Sequence, residues 1–323
     1  MMQRKPLGKS GLILPPIVFG GNVFGWTADP LTSFKLLDGL MEAGLNAIDT
    51  ADVYSRWAPG NSGGESEAII GVWLKNRKQR DKVIIATKCG MEMGPDKNGL
   101  SARRIMAAIE ESLIRLQTDY VDLYQAHADD AATPLEETLE AFGKLIKQGK
   151  VRAIGASNYR ADRLALALDI ARKQGLPRYE SLQPHYNLLE RQAFEEALEQ
   201  LCVAEGIGVI SYYSLAAGFL TGKYRADTDL AGHARGGSVA KYCNPRGFAV
   251  VDALREQAQR LRATPAQVAL AWLIARPSVT APIASATSAA QLDELVKAAR
   301  LTLDAEAIVA LDEASRQPAG EPR

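Results

Sequence analysis

Short apolar runs alternate along the chain with longer segments in which apolar residues recur at helical spacing. The runs read PPIVFGG, LNAID, KVIIATK, YVDLYQAH, VRAIGASN, YESLQ, GIGVISYY and VTAPIA. None shows sustained polar alternation, which is typical of parallel strands buried on both faces. The pattern therefore predicts eight strands.

The segments between the runs carry the signals of helix ends. Residues 133–136 (TPLE) and 264–267 (TPAQ) have the composition of a capping box with proline at the first helical position. In the segment before the YVDLYQAH run, one helical face is predicted from Ile105, Ile109, Leu113 and Leu116. Helix C-termini are predicted at Gly44, Gly149, Gly175 and Gly206.

Strict alternation of strands and helices implies right-handed crossovers and a parallel sheet. Eight such units favour a closed (β/α)8 TIM barrel of the α/β class, and an open doubly wound sheet is the alternative. We expect a single domain over residues 1–323, with a long Gly-rich loop at 214–246 and a C-terminal tail at 301–323. Loops of that length are usually functional or mobile.

Composition narrows the classes of partner. Lys plus Arg and Asp plus Glu both total 38, and no long run of one sign occurs. We therefore expect the binding partner to be a small molecule and not a nucleic acid or a membrane. The start lacks an apolar targeting region and no stretch approaches a membrane span, so a cytoplasmic location is expected. We interpret the widely spaced Cys89, Cys202 and Cys243 as reduced thiols.

In a barrel, the active site lies at the carboxyl ends of the strands, so the first polar residues after the runs should converge there. Tyr54 follows Asp49 by five positions, on a loop that could lean over the same end. The strand-end set contains an acid, a base and an imidazole: Asn22, Asp49, Lys88, His127, Ser157, Asn158, Gln183 and Tyr212.

Such a set suits proton donation to a carbonyl oxygen. The ordinary pKa of tyrosine is near 10, and an adjacent ammonium, here Lys88, lowers that value. Asp49 would hold Lys88 by ion pairing, and His127 could orient the substrate oxygen. The alternatives are an ordinary buried ion pair for Asp49 and Lys88, a packing role for Tyr54 and a strand-capping role for His127.

Several segments in the same order resemble the aldo-keto reductase family over nearly the whole chain. They are DTADVYS, GGESEAIIGVWL, VIIATKCG, DYVDLYQAHADD, GKVRAIGASN, LQPHYNLLER and SLAAGFLTGKY. The resemblance implies a (β/α)8 barrel and hydride transfer between NAD(P)H and an aldehyde or ketone. It also implies a catalytic tetrad, which falls on Asp49, Tyr54, Lys88 and His127.

The same resemblance implies a cofactor site. It places the nicotinamide carboxamide near Ser157, Asn158 and Gln183, with Tyr212 stacked on the ring. It places a loop over the pyrophosphate, formed by Leu215, Gly218, Leu220, Gly222 and Lys223. The expected cofactor contacts also include Gly21, Asn22 and Ser214.

The segment after the last strand departs from the family pattern. Relatives usually carry Gly-Ala followed by Arg, or Ser-Lys, to bind the adenosine 2′-phosphate. Here the candidates are Ser285, Thr287, Ser288, Gln291 and Glu294, and none of these is a cation. A 2′-phosphate needs positive partners, so NAD(H) is an alternative to the NADP(H) that the resemblance favours. Hydroxyls and main-chain N–H groups at a helix start could still bind phosphate.

Other nucleotide and metal motifs do not fit. GGNVFG lacks the G-x-G-x-x-G spacing, and GFLTGKY is not a Walker A loop. His127, His185 and His233 are far apart in sequence, so no metal site is expected. We expect Trp26 and Trp57 to line the substrate pocket.

Two other functions compete with carbonyl reduction. One is a nicotinamide-binding regulatory subunit with little turnover, like the ion-channel auxiliary proteins that resemble this family. The other is a barrel lyase or isomerase in which Lys88 acts as a Schiff-base amine.

Overall fold

Eight parallel strands close into a barrel, which confirms the (β/α)8 prediction and excludes the open doubly wound alternative. The computed structural model describes residues 2–225, 228, 230 and 234–316. A two-stranded antiparallel hairpin, β1 (Lys5–Pro6) and β2 (Ile13–Leu14), precedes the barrel. The barrel strands are β3 (Val18–Gly20), β4 (Ala47–Asp49), β5 (Ile84–Cys89), β6 (Val121–Ala126), β7 (Val151–Ser157), β8 (Ser181–Gln183), β9 (Gly208–Ser211) and β10 (Ala281–Ala284). Pairing of β10 with β3 closes the ring.

Helices connect successive strands and cover the outside of the barrel. They are α1 (Pro30–Ala43), α2 (Glu65–Arg77), α3 (Ala102–Leu116), α4 (Leu135–Lys147), α5 (Ala161–Gln174), α6 (Gln192–Glu195), α7 (Ala197–Glu205), α8 (Gly236–Val239), α9 (Pro245–Leu261), α10 (Pro265–Ala275), α11 (Ala289–Ala298) and α12 (Ala305–Ala314). The predicted face of α3 is buried. Helices α1, α5 and α7 end, as predicted, at glycines with a left-handed backbone conformation: Gly44, Gly175 and Gly206.

Only one of the two predicted capping boxes forms. At the start of α10, Thr264 accepts from the Gln267 N–H, and the Gln267 side chain accepts from the Thr264 N–H. At the start of α4, no side chain caps the helix. The Thr133 hydroxyl instead donates to Asp130, with an O···O distance of 2.6 Å. The prediction of a box at 133–136 was therefore wrong, because a nearby carboxylate takes the hydroxyl.

The barrel interior has an apolar lower layer and a polar upper layer. The hairpin lies under the lower layer, where Leu7, Leu12 and Leu14 are buried against it. The lower layer consists of small and branched side chains: Val18, Ala47, Ala86, Leu123, Ala153, Ile210, Ala281 and Ile283. Side chains alternate along each strand, so the residue two positions later also points inward. Those residues include Asp49, Lys88 and Gln125, which are buried at the other end of the barrel.

The expected loop at 214–246 contains short helical pieces, and α9 already begins at Pro245. In the expected tail at 301–323, residues 305–314 form α12. Residues 226, 227, 229 and 231–233 of the loop and 317–323 of the tail lie outside the described residues. All three cysteines are free. Within the described ranges, no helix has the length and apolar character needed to cross a bilayer.

Candidate active site

The ammonium of Lys88 lies at the centre of the polar layer. Its Nζ donates to Asp49 Oδ2 at 2.5 Å, to the Thr50 carbonyl at 2.8 Å and to the Tyr54 hydroxyl at 3.2 Å. The side chain is fully buried, so its three N–H groups are directed at these three oxygens. Burial disfavours the ammonium, but Asp49 and Tyr54 outweigh it and raise the pKa of Lys88. A lysine held in its charged form is a poor Schiff-base nucleophile, which argues against the lyase alternative.

Two amides hold the second oxygen of Asp49. Gln183 Nε2 donates to Asp49 Oδ1 at 2.9 Å, and Gln125 Nε2 donates to the same oxygen at 3.2 Å. Asp49 ends β4, and its partners come from β5, β6 and β8. The carboxylate is therefore fixed by three strands of the barrel.

The β4–α2 loop brings Tyr54 to Lys88, as the strand-end argument predicted. The carbonyl of Tyr54 accepts from the N–H groups of Gly64 and Ser66, which hold the loop. Desolvation raises the pKa of the Tyr54 hydroxyl, and the nearby Lys88 only partly opposes this. The expected net lowering of the pKa was therefore wrong, because burial outweighs the ammonium. The hydroxyl stays protonated, which is the form a proton donor needs.

His127 follows β6 and lies beside Tyr54, with 5.9 Å between the ring centroids. Burial, with a smaller contribution from Lys88, lowers the pKa of His127 well below its usual value. Nδ1 is buried and has no hydrogen-bond partner within the described part of the chain. The imidazole is therefore neutral, and the structure brings all four tetrad residues together.

The residues that the resemblance assigns to the nicotinamide lie at one side of this mouth. Asn158 Nδ2 donates to the His127 carbonyl at 2.9 Å, and the Tyr212 hydroxyl donates to Asn158 Oδ1 at 2.8 Å. Ser157 Oγ donates to the Gln183 carbonyl at 2.9 Å. Amides, a hydroxyl and an aromatic ring thus surround one region of the barrel rim.

The residues expected near the pyrophosphate lie on the β9–α9 connection. A 3-10 helix spans Ala216–Thr221, in which Gly218 has a φ of 97°, and Gly222 follows with a φ of 76°. Leu220 is buried, and Lys223 is exposed with its Nζ 5.0 Å from the centre of the Tyr224 ring. Leu215 is half-buried. The Ser214 hydroxyl is buried and donates to the Ser211 carbonyl.

The residues expected near the adenosine lie at the start of α11. Ser288 caps the helix, and the Gln291 side chain accepts from Thr287 N–H at 2.8 Å. Glu294 instead accepts from Gln267 of α10 at 2.9 Å, and also from Thr264. The Glu294 carboxylate therefore binds the two capping-box residues at the start of α10.

The remaining expected cofactor contacts lie just beyond the carboxyl ends of β3 and β10. Ser285 Oγ donates to Asn22 Oδ1 at 2.7 Å, and the Gly21 carbonyl accepts from Ser66 Oγ at 2.8 Å. These bonds link β3 and its loop to β10 and α2. Asn22 and Ser285 are only half-buried, so a ligand at the rim can reach them.

An aromatic wall rises beside Tyr54. Trp57 packs edge-on against Tyr54 at 5.5 Å and against Trp26 at 5.8 Å between ring centroids. Trp57 is 47% exposed. The guanidinium of Arg235 lies 5.5 Å from the centre of the Trp26 ring. Trp57 therefore lies next to the proton-donor candidate, and Trp26 lies one ring further away.

Sequence reasoning missed Gln125, Arg235 and a second buried charge cluster. Gln125 lies inside β6, and only its inward parity with His127, two positions later, could have indicated it. Arg235 lies in the long loop, whose path carries no periodic signal.

The second charge cluster lies outside the barrel, behind the Tyr54 loop. Arg104 of α3 donates to Asp52 at 2.9 Å, and Arg115 of α3 donates to Glu67 at 2.7 Å. The Thr87 hydroxyl also donates to Glu67, at 2.5 Å. Asp52 and Glu67 are fully buried. The cluster ties the loop and α2 to α3.

Comparison with known proteins agrees with this fold and identifies the family. A profile described as Aldo/keto reductase family matches residues 16–316. YrpG, an uncharacterized oxidoreductase of Bacillus subtilis, is 34% identical over 99% of this chain and 98% of its own length. The L-glyceraldehyde 3-phosphate reductase of Escherichia coli is 32% identical over 97% of this chain and 92% of its own. A probable voltage-gated potassium channel subunit beta of Oryza sativa subsp. japonica is 33% identical over 92% of this chain and 91% of its own length. This chain therefore belongs to the aldo-keto reductase family, a family of oxidoreductases.

Proposed function

We propose that the protein reduces an aldehyde or ketone to an alcohol, or catalyses the reverse reaction, with NAD(P)H as hydride donor and Tyr54 as proton donor. One observation carries the proposal. The Tyr54 hydroxyl lies 3.2 Å from a buried Lys88 ammonium that is itself paired with Asp49 at 2.5 Å. This arrangement stands at the rim where barrel enzymes bind substrate.

Each side chain has a distinct part in the reaction. When bound at this rim, NAD(P)H would supply the hydride that the carbonyl carbon accepts. Tyr54 gives its proton to the carbonyl oxygen, and Lys88 stabilises the phenolate that this transfer leaves behind. Asp49 keeps Lys88 charged and in place. The neutral His127 directs the carbonyl oxygen toward Tyr54.

The donor set at the rim fits a nicotinamide. A carboxamide needs both donors and acceptors, which Ser157, Asn158 and Gln183 offer, and the Tyr212 ring offers an aromatic face. Lys223, which the resemblance places over the pyrophosphate, is an exposed cation of the long loop that could meet it. Near α11, hydroxyl and amide groups come from Ser285, Thr287, Ser288 and Gln291. These neutral groups are compatible with either cofactor, so we propose NADP(H), which the family resemblance favours, with NAD(H) as the alternative.

The aromatic wall favours a substrate with an apolar body. Trp57 packs against the Tyr54 ring, and Trp26 packs against Trp57 on the same side. A substrate carbonyl at Tyr54 would therefore place its substituent against these rings. We assign the substrate pocket to this side of the rim, within a single-domain, cytoplasmic enzyme.

Tyr54→Phe tests the proposal, because it removes the donor and keeps the ring. We expect quenching of protein fluorescence by NADPH to persist, with turnover of a panel of aldehydes reduced about 10²–10⁴-fold. Titrating NADH in parallel measures the cofactor preference. Unchanged turnover in Tyr54→Phe would remove this residue from the reaction, and failure of both cofactors to bind the wild type would refute the proposal as a whole.

A nicotinamide-binding regulatory subunit is the second candidate. The resemblance to a protein named as a probable potassium channel subunit beta favours it. In that case the wild type would bind the cofactor but would not oxidise it with any carbonyl of the panel. The turnover measurement above therefore separates the two functions.

A further inference from the structure

Gln125 is a fully buried amide near the carboxyl end of β6, inside the polar layer of the barrel. In the strand register it lies between Lys88 on β5 and Gly155 on β7. The absence of a side chain at Gly155 leaves it room, because a Cβ there would lie 3.2 Å from Gln125 Cγ and 2.1 Å from Ser181 Oγ. The barrel thus accommodates a long polar side chain in its interior.

The amide of Gln125 contacts two residues of the site at once. Its Nε2 donates to Asp49 Oδ1 at 3.2 Å, and its Oε1 accepts from Gln183 Nε2 at 3.3 Å. Gln183 Nε2 also donates to Asp49 Oδ1 at 2.9 Å. The three side chains therefore form a closed triangle of hydrogen bonds.

This triangle determines how Asp49 meets Lys88. With Oδ1 held by two amides, Oδ2 is the oxygen directed at the ammonium, at 2.5 Å. The triangle also uses both N–H groups of the Gln183 side chain, which leaves its side-chain oxygen Oε1 available to a ligand. We propose that Gln125 is a positioning residue for proton transfer, which orients the Asp49 carboxylate and the Gln183 amide and thereby holds Lys88 against Tyr54. The inference rests on the proposed function for its effect on turnover.

Gln125→Met tests it, since methionine has a similar length and lacks both amide groups. A hydrogen bond to a charged group contributes more than one to a neutral group, so we expect kcat to fall about tenfold or more. The KM for the carbonyl substrate should change less than about threefold. A fall in the melting temperature with unchanged kcat would show that Gln125 only packs.

Leu123→Val is the matched control, because Leu123 lies on the same strand and faces the interior one layer below. It should lower stability and leave kcat per folded molecule unchanged. Equal losses of kcat in both variants would overturn the inference.

Gln125→Glu provides a pH signature that packing alone would not produce. The groups that face Asp49 are Lys88 from β5, Gln183 from β8 and Tyr54 from its loop, with His127 beyond Lys88. In this variant, a protonated carboxyl group at position 125 can donate to Asp49, whereas an ionised one repels it. The kcat of the variant should therefore fall as pH rises, relative to the wild type. Parallel pH profiles would contradict the inference.

A readout without turnover separates this inference from the proposed function. In protein labelled with 15N-lysine, the Lys88 Nζ signal should remain that of an ammonium to a higher pH in the wild type than in Gln125→Met. If the wild type reduces no carbonyl but this difference is seen, the proposed function fails and the positioning role stands. An identical titration in the two proteins would refute the positioning role.

Discussion

At the residue scale, burial is the largest influence on the pKa values of the two groups beside Lys88. Desolvation raises the pKa of Tyr54 despite Lys88. It lowers the pKa of His127 well below its usual value. Both groups are therefore neutral at ordinary pH, and Lys88 carries the positive charge between them.

The pH dependence of reduction follows from these directions. The Tyr54 proton is lost only above its usual value near 10, and His127 gains a proton only well below its usual value near 6.5. We expect kcat for carbonyl reduction to be flat from about pH 6 to about pH 9, measured by cofactor oxidation at saturating substrate. A fall centred near pH 6.5 would contradict a neutral His127.

Removing the ammonium distinguishes a catalytic pair from a structural one. Lys88→Met should reduce turnover about 10²–10⁴-fold, and it leaves the buried Asp49 unpaired, at a cost of about 3–5 kcal/mol in stability. The double variant Asp49→Asn, Lys88→Met removes both charges and should recover much of that stability, measured by urea unfolding, without recovering turnover. Recovery of activity in the double variant would favour a purely structural pair.

The tetrad could be predicted because each member follows an apolar run or sits shortly beyond one. Gln125 could not be predicted in the same way, because it lies within its run and looks like an interruption of an apolar strand. The sign of the net pKa shift of Tyr54 was also beyond the sequence, since it depends on how deeply the loop is buried.

At the element scale, two segments of similar sequence behave differently. TPAQ at 264–267 forms a capping box, whereas TPLE at 133–136 does not, because Asp130 takes the Thr133 hydroxyl. Strand number, order and helix ends followed from local periodicity and glycine positions. The competition for one hydroxyl is a tertiary effect that the local pattern does not contain.

This difference predicts different costs for the same substitution. Thr264→Ala removes a helix cap together with the hydroxyl's hydrogen bond to Glu294, and should lower the free energy of unfolding by about 1–2 kcal/mol. Thr133→Ala removes one hydrogen bond outside a cap and should cost less. Urea unfolding of both variants measures the difference, and equal losses would mean that the cap at Thr264 contributes nothing beyond one hydrogen bond.

At the scale of the whole molecule, the buried charge cluster links the site to global stability. Burial, with Glu67 adding to it, raises the pKa of Asp52 to about 7, although Arg104 opposes the shift. The unfolded value is near 3.9. Between these two values, the folded protein retains a proton that the unfolded chain has lost, so stability falls as pH rises through this window.

Asp52→Asn removes this titration. The unfolding free energy of the wild type, measured relative to that of Asp52→Asn, should decrease from about pH 4 to about pH 7 and level off above it. Only the slope of this difference is predicted, because the substitution also changes the pairing of Arg104. A difference independent of pH would mean that Asp52 is ionised throughout and fully neutralised by Arg104.

The hairpin under the barrel, with Leu7, Leu12 and Leu14 against the lower layer, was not predicted, because its strands are only two residues long. It covers the lower end of the barrel, whose interior is filled by packed side chains. Reactants and products of the proposed reaction therefore meet the site from the strand carboxyl ends, so departure of one molecule competes with arrival of the next. A bulky label attached at the strand carboxyl ends should slow turnover by obstructing this traffic, while the same label beside the hairpin should not.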